Sequence, residues 1–164
     1  MSMGRIWAGW RREYVEDVAN NEPKSECVFC DLSGQEDSFQ VIADGEDSFA
    51  AINIHPYTSG HLLVIPRRHV GTLDSLNTNE ANSIMAMTQA ATTAVNSAYA
   101  PDGINIGINQ GRAAGAGLPN HLHVHVLPRW IADTNFMTSV AEVRVLPEAL
   151  DETRDRLRAA WPKK

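Results

Sequence analysis

The sequence predicts a single domain of the α/β class, α+β in type, with a mainly antiparallel sheet of about five strands, one long helix and a C-terminal helix. Three observations predict it. Short apolar segments bounded by turn residues fill the first half, one long stripe of helical period follows, and two segments of strict alternation flank a Gly/Ala loop. At 164 residues the chain is long enough for one core and short for two. Residues 1–25 read as an N-terminal arm, 26–130 as the core and 131–164 as a C-terminal extension.

The first strands are expected at Phe39–Ala43, Ser48–Asn53 and Gly60–Ile65. Asp44-Gly45-Glu46-Asp47 and Pro56-Tyr57-Thr58-Ser59-Gly60 punctuate them, as in a meander. Asn77 followed three residues later by Glu80 is a capping-box start. Ile84, Met87, Ala91, Val95 and Ala98 then recur at helical spacing until Pro101-Asp102-Gly103 ends the run. That stripe reads as core.

From Gly103 to Asn109, Ile104, Ile106 and Ile108 alternate with Asn105, Gly107 and Asn109; from His121 to Leu127, Leu122, Val124 and Val126 alternate with His121, His123 and His125. Paired as a hairpin, the two strands would bring the Asn and His faces together and send both Ile/Val faces into the core. Pro147–Trp161 suits a final helix, with Leu150 and Leu157 on its apolar line and Pro162 as its stop.

With 43% hydrophobic and 21% charged residues, the composition is that of an ordinary globule. No apolar run approaches the ~20 residues a bilayer requires, and Met1–Arg12 carries no signal-like apolar stretch, so the cytoplasm is the expected compartment and no membrane partner is expected. A net charge of −6 argues against a nucleic-acid partner. The charges are unevenly placed. Ser48–Leu73 and Gly103–Ala132 hold no acid at all, yet contain Arg67, Arg68, Arg112, Arg129 and all six histidines. Buried strands exclude acids, which explains part of the depletion. Should the windows meet in the fold, they would form an acid-free pocket for a small anion.

Three imidazoles in a row on a strand can hold a metal, or act as nucleophile and acid toward phosphorus, since neutral imidazole is nucleophilic near pH 7. Structural histidines are the third reading, and three on one face would leave many ring nitrogens seeking partners. The loop Gly111-Arg112-Ala113-Ala114-Gly115-Ala116-Gly117 lets backbone N–H groups approach an anion closely, and no carboxylate lies near it, which favours bound phosphate. Cys27 and Cys30 have metal-ligand or redox spacing, with two inert thiols as the plain alternative.

His121-Leu122-His123-Val124-His125-Val126-Leu127 resembles the signature of the histidine triad (HIT) superfamily. The resemblance extends to Cys27-Val28-Phe29-Cys30, Asn53-Ile54-His55-Pro56 and Gly60-His61-Leu62-Leu63-Val64-Ile65-Pro66-Arg67-Arg68-His69, and so covers most of the chain. Trp7-Ala8-Gly9-Trp10-Arg11-Arg12-Glu13-Tyr14, Pro128-Arg129-Trp130 and Asp133-Thr134-Asn135-Phe136-Met137 are similar to the bacterial diadenosine-tetraphosphate phosphorylase-like branch.

The resemblance implies a HIT-like fold and a nucleotide hydrolase or transferase acting on nucleotidyl compounds such as dinucleoside polyphosphates. His123 would attack the α-phosphorus and form a covalent nucleotidyl-histidine; His121 and His125 would complete the catalytic row, with His125 on the phosphate oxygens beside the amides of Gly115, Ala116 and Gly117. Asn53 would meet the ribose, and His61 and Asn109 the phosphates or nucleotide. Cys27, Cys30, His69 and His121 would hold a structural zinc ion, and the protein would be a homodimer with sheets continuous across the interface. Gly117 stands where many members carry Gln or Ser, which leaves the leaving-group contact unassigned. His55 has no role and reads as a surface residue.

Overall fold

The computed structural model describes residues 27–35, 38–133 and 148–163. The N-terminal arm with Trp7 and Trp10, and the segment 134–147, lie outside the described residues. In chain order the elements are α1 (Val28–Ser33), β1 (Val41–Asp44), β2 (Ser48–Ile52), β3 (Leu62–Pro66), α2 (Thr78–Tyr99), β4 (Gly103–Ile108), β5 (Val124–Arg129) and α3 (Leu150–Ala160). Five strands form one sheet in the order β1-β2-β3-β5-β4, every pair antiparallel. The meander, the long helix and the final hairpin are all present, and the architecture is α+β.

Helix α2 starts where the sequence places it. Asn77 Oδ1 accepts the Glu80 N–H at 3.0 Å, and Glu80 Oε2 accepts the Asn77 N–H at 2.9 Å, closing a capping box. Helices α2 and α3 cover one sheet face, where Ile84, Ala91, Val95 and Leu157 pack with Ile52, Leu62, Val64, Val124 and Val126. On the opposite face α1 brings Phe29 against Val41, Phe49, Ala51, Leu63 and Ile65. Arg158 of α3 donates from Nε to the Val41 carbonyl at 3.0 Å, tying the last helix to the first strand. No helix among the described residues is long and apolar enough to cross a membrane.

Three expectations need correction. Strand β5 begins at Val124, so His121 and His123 precede it. The β3–β5 ladder runs Leu62↔Val126, Leu63↔His125 and Val64↔Val124, and Pro66, two residues on, has no N–H to continue it. The chain pairs instead with the next loop, Leu122 N–H donating to the Val70 carbonyl at 2.6 Å. The hairpin register does bring the two polar faces together, Gly107 opposite His125, but the Ile face does not enter the core whole. Strand β4 lies at the sheet edge, and Ile106 is 53% exposed, while Ile104 and Ile108 pack against the core. The final helix starts at Leu150 rather than at Pro147, which lies outside the described residues.

The β2–β3 connection turns sharply before His61. Gly60 holds φ +78°, and a Cβ there would lie 2.7 Å from the Tyr99 ring, so both backbone conformation and space require glycine.

Candidate functional site

Pairing of β3 with β5 brings the two acid-free windows together. His125 sits opposite Leu63, on the α1 face of the sheet, and His61 from the β2–β3 connection reaches it: His61 Nε2 and His125 Nδ1 are 2.9 Å apart. The partners fix which nitrogen carries each proton. Tyr57 N–H donates to His61 Nδ1 at 3.1 Å, so His61 Nε2 carries the hydrogen and donates to His125 Nδ1. His125 therefore bears its proton on Nε2, and that atom is buried without a hydrogen-bond partner among the described residues. Asn53 supports the same assignment. Its Oδ1 accepts the His55 N–H at 3.0 Å, which turns Nδ2 toward His61 Nδ1 at 3.2 Å.

His123 is oriented differently. Its Nδ1 lies 2.9 Å from the His121 carbonyl, which can only accept, so Nδ1 carries the proton and Nε2 keeps its lone pair. The His123 and His125 ring centroids are 4.9 Å apart at an interplanar angle of 69°. A bare nitrogen and an N–H donor thus occupy neighbouring rings. Burial pushes the His123 pKa below the ordinary histidine value, and burial followed by the neighbouring His123 charge pushes His125 down to about 4. Both rings are neutral at pH 7.

His121 faces another centre. Pro66 carbonyl accepts from His121 Nε2 at 2.9 Å, which frees Nδ1 to face Cys27 Sγ at 3.2 Å and Cys30 Sγ at 3.6 Å. His69 Nδ1 lies 3.2 Å from Cys30 Sγ, and the ligand atoms of Cys27, Cys30, His69 and His121 all fall within 4.8 Å of one another. Tetrahedral zinc with its usual bond lengths separates S and N ligands by about 3.5 Å, and second-shell fixing of a histidine tautomer by a carbonyl is common at such sites. The donor set fits zinc. It is the one group of three or more His, Cys, Asp and Glu of metal-holding geometry among the described residues.

Phe29, between the two cysteines, joins the centres. It is 7% exposed, and its ring meets His121 edge-on at 5.5 Å and His123 at 5.1 Å. Sequence reading missed it, although an aromatic residue inside a Cys-x-x-Cys turn was the available signal. Tyr57, in sequence no more than a residue of the Pro56–Gly60 turn, stacks its ring on His125 and leans on His61.

The remaining expected residues are placed less directly. Asn109 follows Ile108, which pairs with Val124 beside His123. In the Gly/Ala loop, Gly115 is left-handed at φ +86°; its N–H bonds the Arg112 carbonyl at 2.9 Å and that of Ala116 bonds the Gly111 carbonyl at 3.3 Å. Of the three amides expected to meet phosphate, two are thus used within the loop. The arginines are also more engaged than an anion pocket would need. Arg67 pairs with Asp44, Arg68 with Glu80 and Arg129 with Asp133, acids that all come from outside the two windows or from their margins. Arg112, on the exposed loop, has no carboxylate partner among the described residues. His55 is exposed, as expected.

A family model described as the HIT domain matches residues 34–130. AP-4-A phosphorylase of Mycobacterium tuberculosis is 36% identical over 163 residues, covering 96% of this chain and 84% of that protein. A zinc-bound histidine triad family protein from Mycobacterium smegmatis is 33% identical with a TM-score of 0.68, over 82% of this chain and 92% of that one. A Hit-like protein involved in cell-cycle regulation from Bartonella henselae is 26% identical with a TM-score of 0.69, over 85% and 99%.

Proposed function

Since the chain belongs to the HIT domain family, we propose that it is a nucleotide hydrolase or transferase working through a covalent nucleotidyl-histidine at His123. The observation that carries the reading is the pair of fixed, opposite ring states: a bare Nε2 on His123 beside an unpartnered Nε2–H on His125. The His123 lone pair forms the N–P bond at the α-phosphorus as the P–O bond to the leaving phosphate chain breaks. His125 donates to a phosphate oxygen as charge gathers there, and does so from a preorganised, buried position. Attack by phosphate or water then breaks the N–P bond and frees His123.

Dinucleoside polyphosphates are the proposed substrates, supported by the 36% identity to a protein named AP-4-A phosphorylase. Asn53 is assigned to the ribose, and Asn109 with the Gly115–Gly117 loop to the phosphates. Zinc held by Cys27, Cys30, His69 and His121 would fill all four coordination positions with protein ligands, which makes it structural and lets it pin α1 to the sheet. The edge strand β4, with Ile106 exposed, is the surface on which two copies would continue one sheet as a homodimer.

A metal-dependent hydrolase built on the three histidines is disfavoured by the geometry, because His121 Nδ1 faces the cysteines rather than the other two rings. Incubating the protein with diadenosine tetraphosphate, with and without inorganic phosphate, tests the reading. ADP plus ATP only with phosphate identifies a phosphorylase; AMP plus ATP in both identifies a hydrolase. Nucleotide binding with the same negligible turnover before and after His123→Ala would identify a non-catalytic binding module and overturn the reading.

A further inference from the structure

The proton pattern of the site starts at a residue outside the histidine signature. Tyr57 follows Pro56 in the β2–β3 connection and touches both histidines of the relay. Its backbone N–H donates to His61 Nδ1 at 3.1 Å. Its ring lies 4.7 Å from the His61 ring, tilted 46°, and 5.7 Å from the His125 ring at only 21°, a stacked arrangement. The His61 and His125 rings are themselves 5.1 Å apart. One residue thus fixes both the proton position of the first imidazole and the plane of the second.

The direction of the relay matters because neutral imidazole has one donor and one acceptor. Were His61 to carry its proton on Nδ1, that hydrogen would face the Tyr57 N–H and the Asn53 amide, two donors. Its bare Nε2 would then call for a proton on His125 Nδ1, leaving a lone pair on the buried His125 Nε2. A lone pair there repels a phosphate oxygen; a hydrogen binds it. Rotation of either ring about its Cβ–Cγ bond would also break the pattern, and the Tyr57 ring lies flat against His125, where such rotation must sweep through it.

We propose that Tyr57 is a positioning residue for this reaction, holding the His61–His125 pair in the tautomers and ring planes that present the His125 Nε2–H to phosphate. The proposal rests on the reading of His125 as the phosphate donor. Tyr57 is 40% exposed, so the fold draws little on its burial. The part of the side chain that acts is the aromatic face stacked on His125.

Imidazole 15N spectra of the free full-length protein, read beside steady-state kinetics on diadenosine tetraphosphate, test it for Tyr57→Phe and Tyr57→Ala. Tyr57→Phe is expected to keep the single Nε2–H tautomer of His125 and wild-type turnover. Tyr57→Ala keeps the backbone N–H and with it the His61 tautomer, but removes the ring stacked on His125. With that ring free to turn away from His61, the variant is expected to show mixed His125 tautomers and a kcat lower by about tenfold, with KM within about twofold, the signature of lost transition-state stabilisation. Tyr57→Leu repeats the measurement with the apolar volume kept and is expected to match Tyr57→Ala. An unchanged tautomer and kcat in Tyr57→Ala would overturn the proposal, as would an effect confined to KM, or a Tyr57→Phe variant as defective as Tyr57→Ala. The free-protein spectra separate the two levels: undiminished turnover in His123→Ala would sink the covalent reading, whereas the tautomer result judges Tyr57.

Discussion

His123 donates its Nδ1–H to the carbonyl oxygen of His121, 2.9 Å away and two residues earlier in the chain. The same residue whose side chain completes the Cys2His2 cluster therefore sets, through its backbone, the tautomer of the proposed nucleophile. Its side chain is held in turn by the Pro66 carbonyl, so the end of β3, the Cys2His2 cluster and the His123 imidazole form one connected unit.

Loss of the cysteine ligands should separate stability from chemistry. Cys27→Ser and Cys30→Ser are expected to lower bound zinc from one ion per chain to none and to reduce Tm by about 10 °C, as removal of a closed structural zinc removes several kcal/mol. Metal analysis and calorimetry check this. At temperatures where these variants stay folded, most turnover should persist; its complete loss with an intact fold would point to a catalytic metal.

Substitution of the donor should cost rate more than affinity. His125→Ala is expected to lower kcat by about 10²- to 10³-fold, the usual cost of removing one preorganised donor, and His125→Asn to recover part of it through its amide N–H. Steady-state kinetics on the two variants decide the point.

The capping box supplies a pH dependence at a distance from the site. Glu80 accepts two hydrogen bonds from Arg68 and one from the Asn77 backbone, and these hold its pKa at about 2, below the ordinary 4.5. A carboxyl with a lowered folded-state pKa stabilises fully above its unfolded value and loses that contribution as pH falls through the folded one. Glu80→Gln is thus expected to melt below wild type at pH 7, with the gap closing between about pH 4.5 and pH 2. Melting curves across that range are the check.

Much of this fold is written locally. Asn77 and Glu80 announce α2 because a capping box is a contact over three residues, and Ile104–Ile108 announces β4 because alternation is a local property. The cluster of Cys27, Cys30, His69 and His121 was legible through the family resemblance, whose spacings carry long-range contacts. What stayed hidden depends on partners far along the chain. Nothing near His121 marks that Pro66 stops the ladder and delays β5 to Val124. Nothing near Tyr57 marks His125 as its stacking partner, and the acids that neutralise Arg67 and Arg68 lie far from them in sequence. The tautomers are set entirely by such contacts.

Strand β4 gives the test of assembly. Ile106, 53% exposed on an edge strand, is expected to lie between two copies, so Ile106→Lys should convert a dimer to a monomer in sedimentation experiments while leaving the secondary structure unchanged. A wild-type protein that sediments as a monomer would refute the paired edge.

The proposed chemistry turns on the bond between His123 and phosphorus. Mass spectrometry of the protein quenched during turnover of diadenosine tetraphosphate and related nucleotidyl donors should find one nucleoside monophosphate unit on the peptide that carries His123. His123→Ala should lose the adduct and lower turnover by at least about 10³-fold. Absence of the adduct from every donor, together with undiminished turnover in His123→Ala, would contradict it.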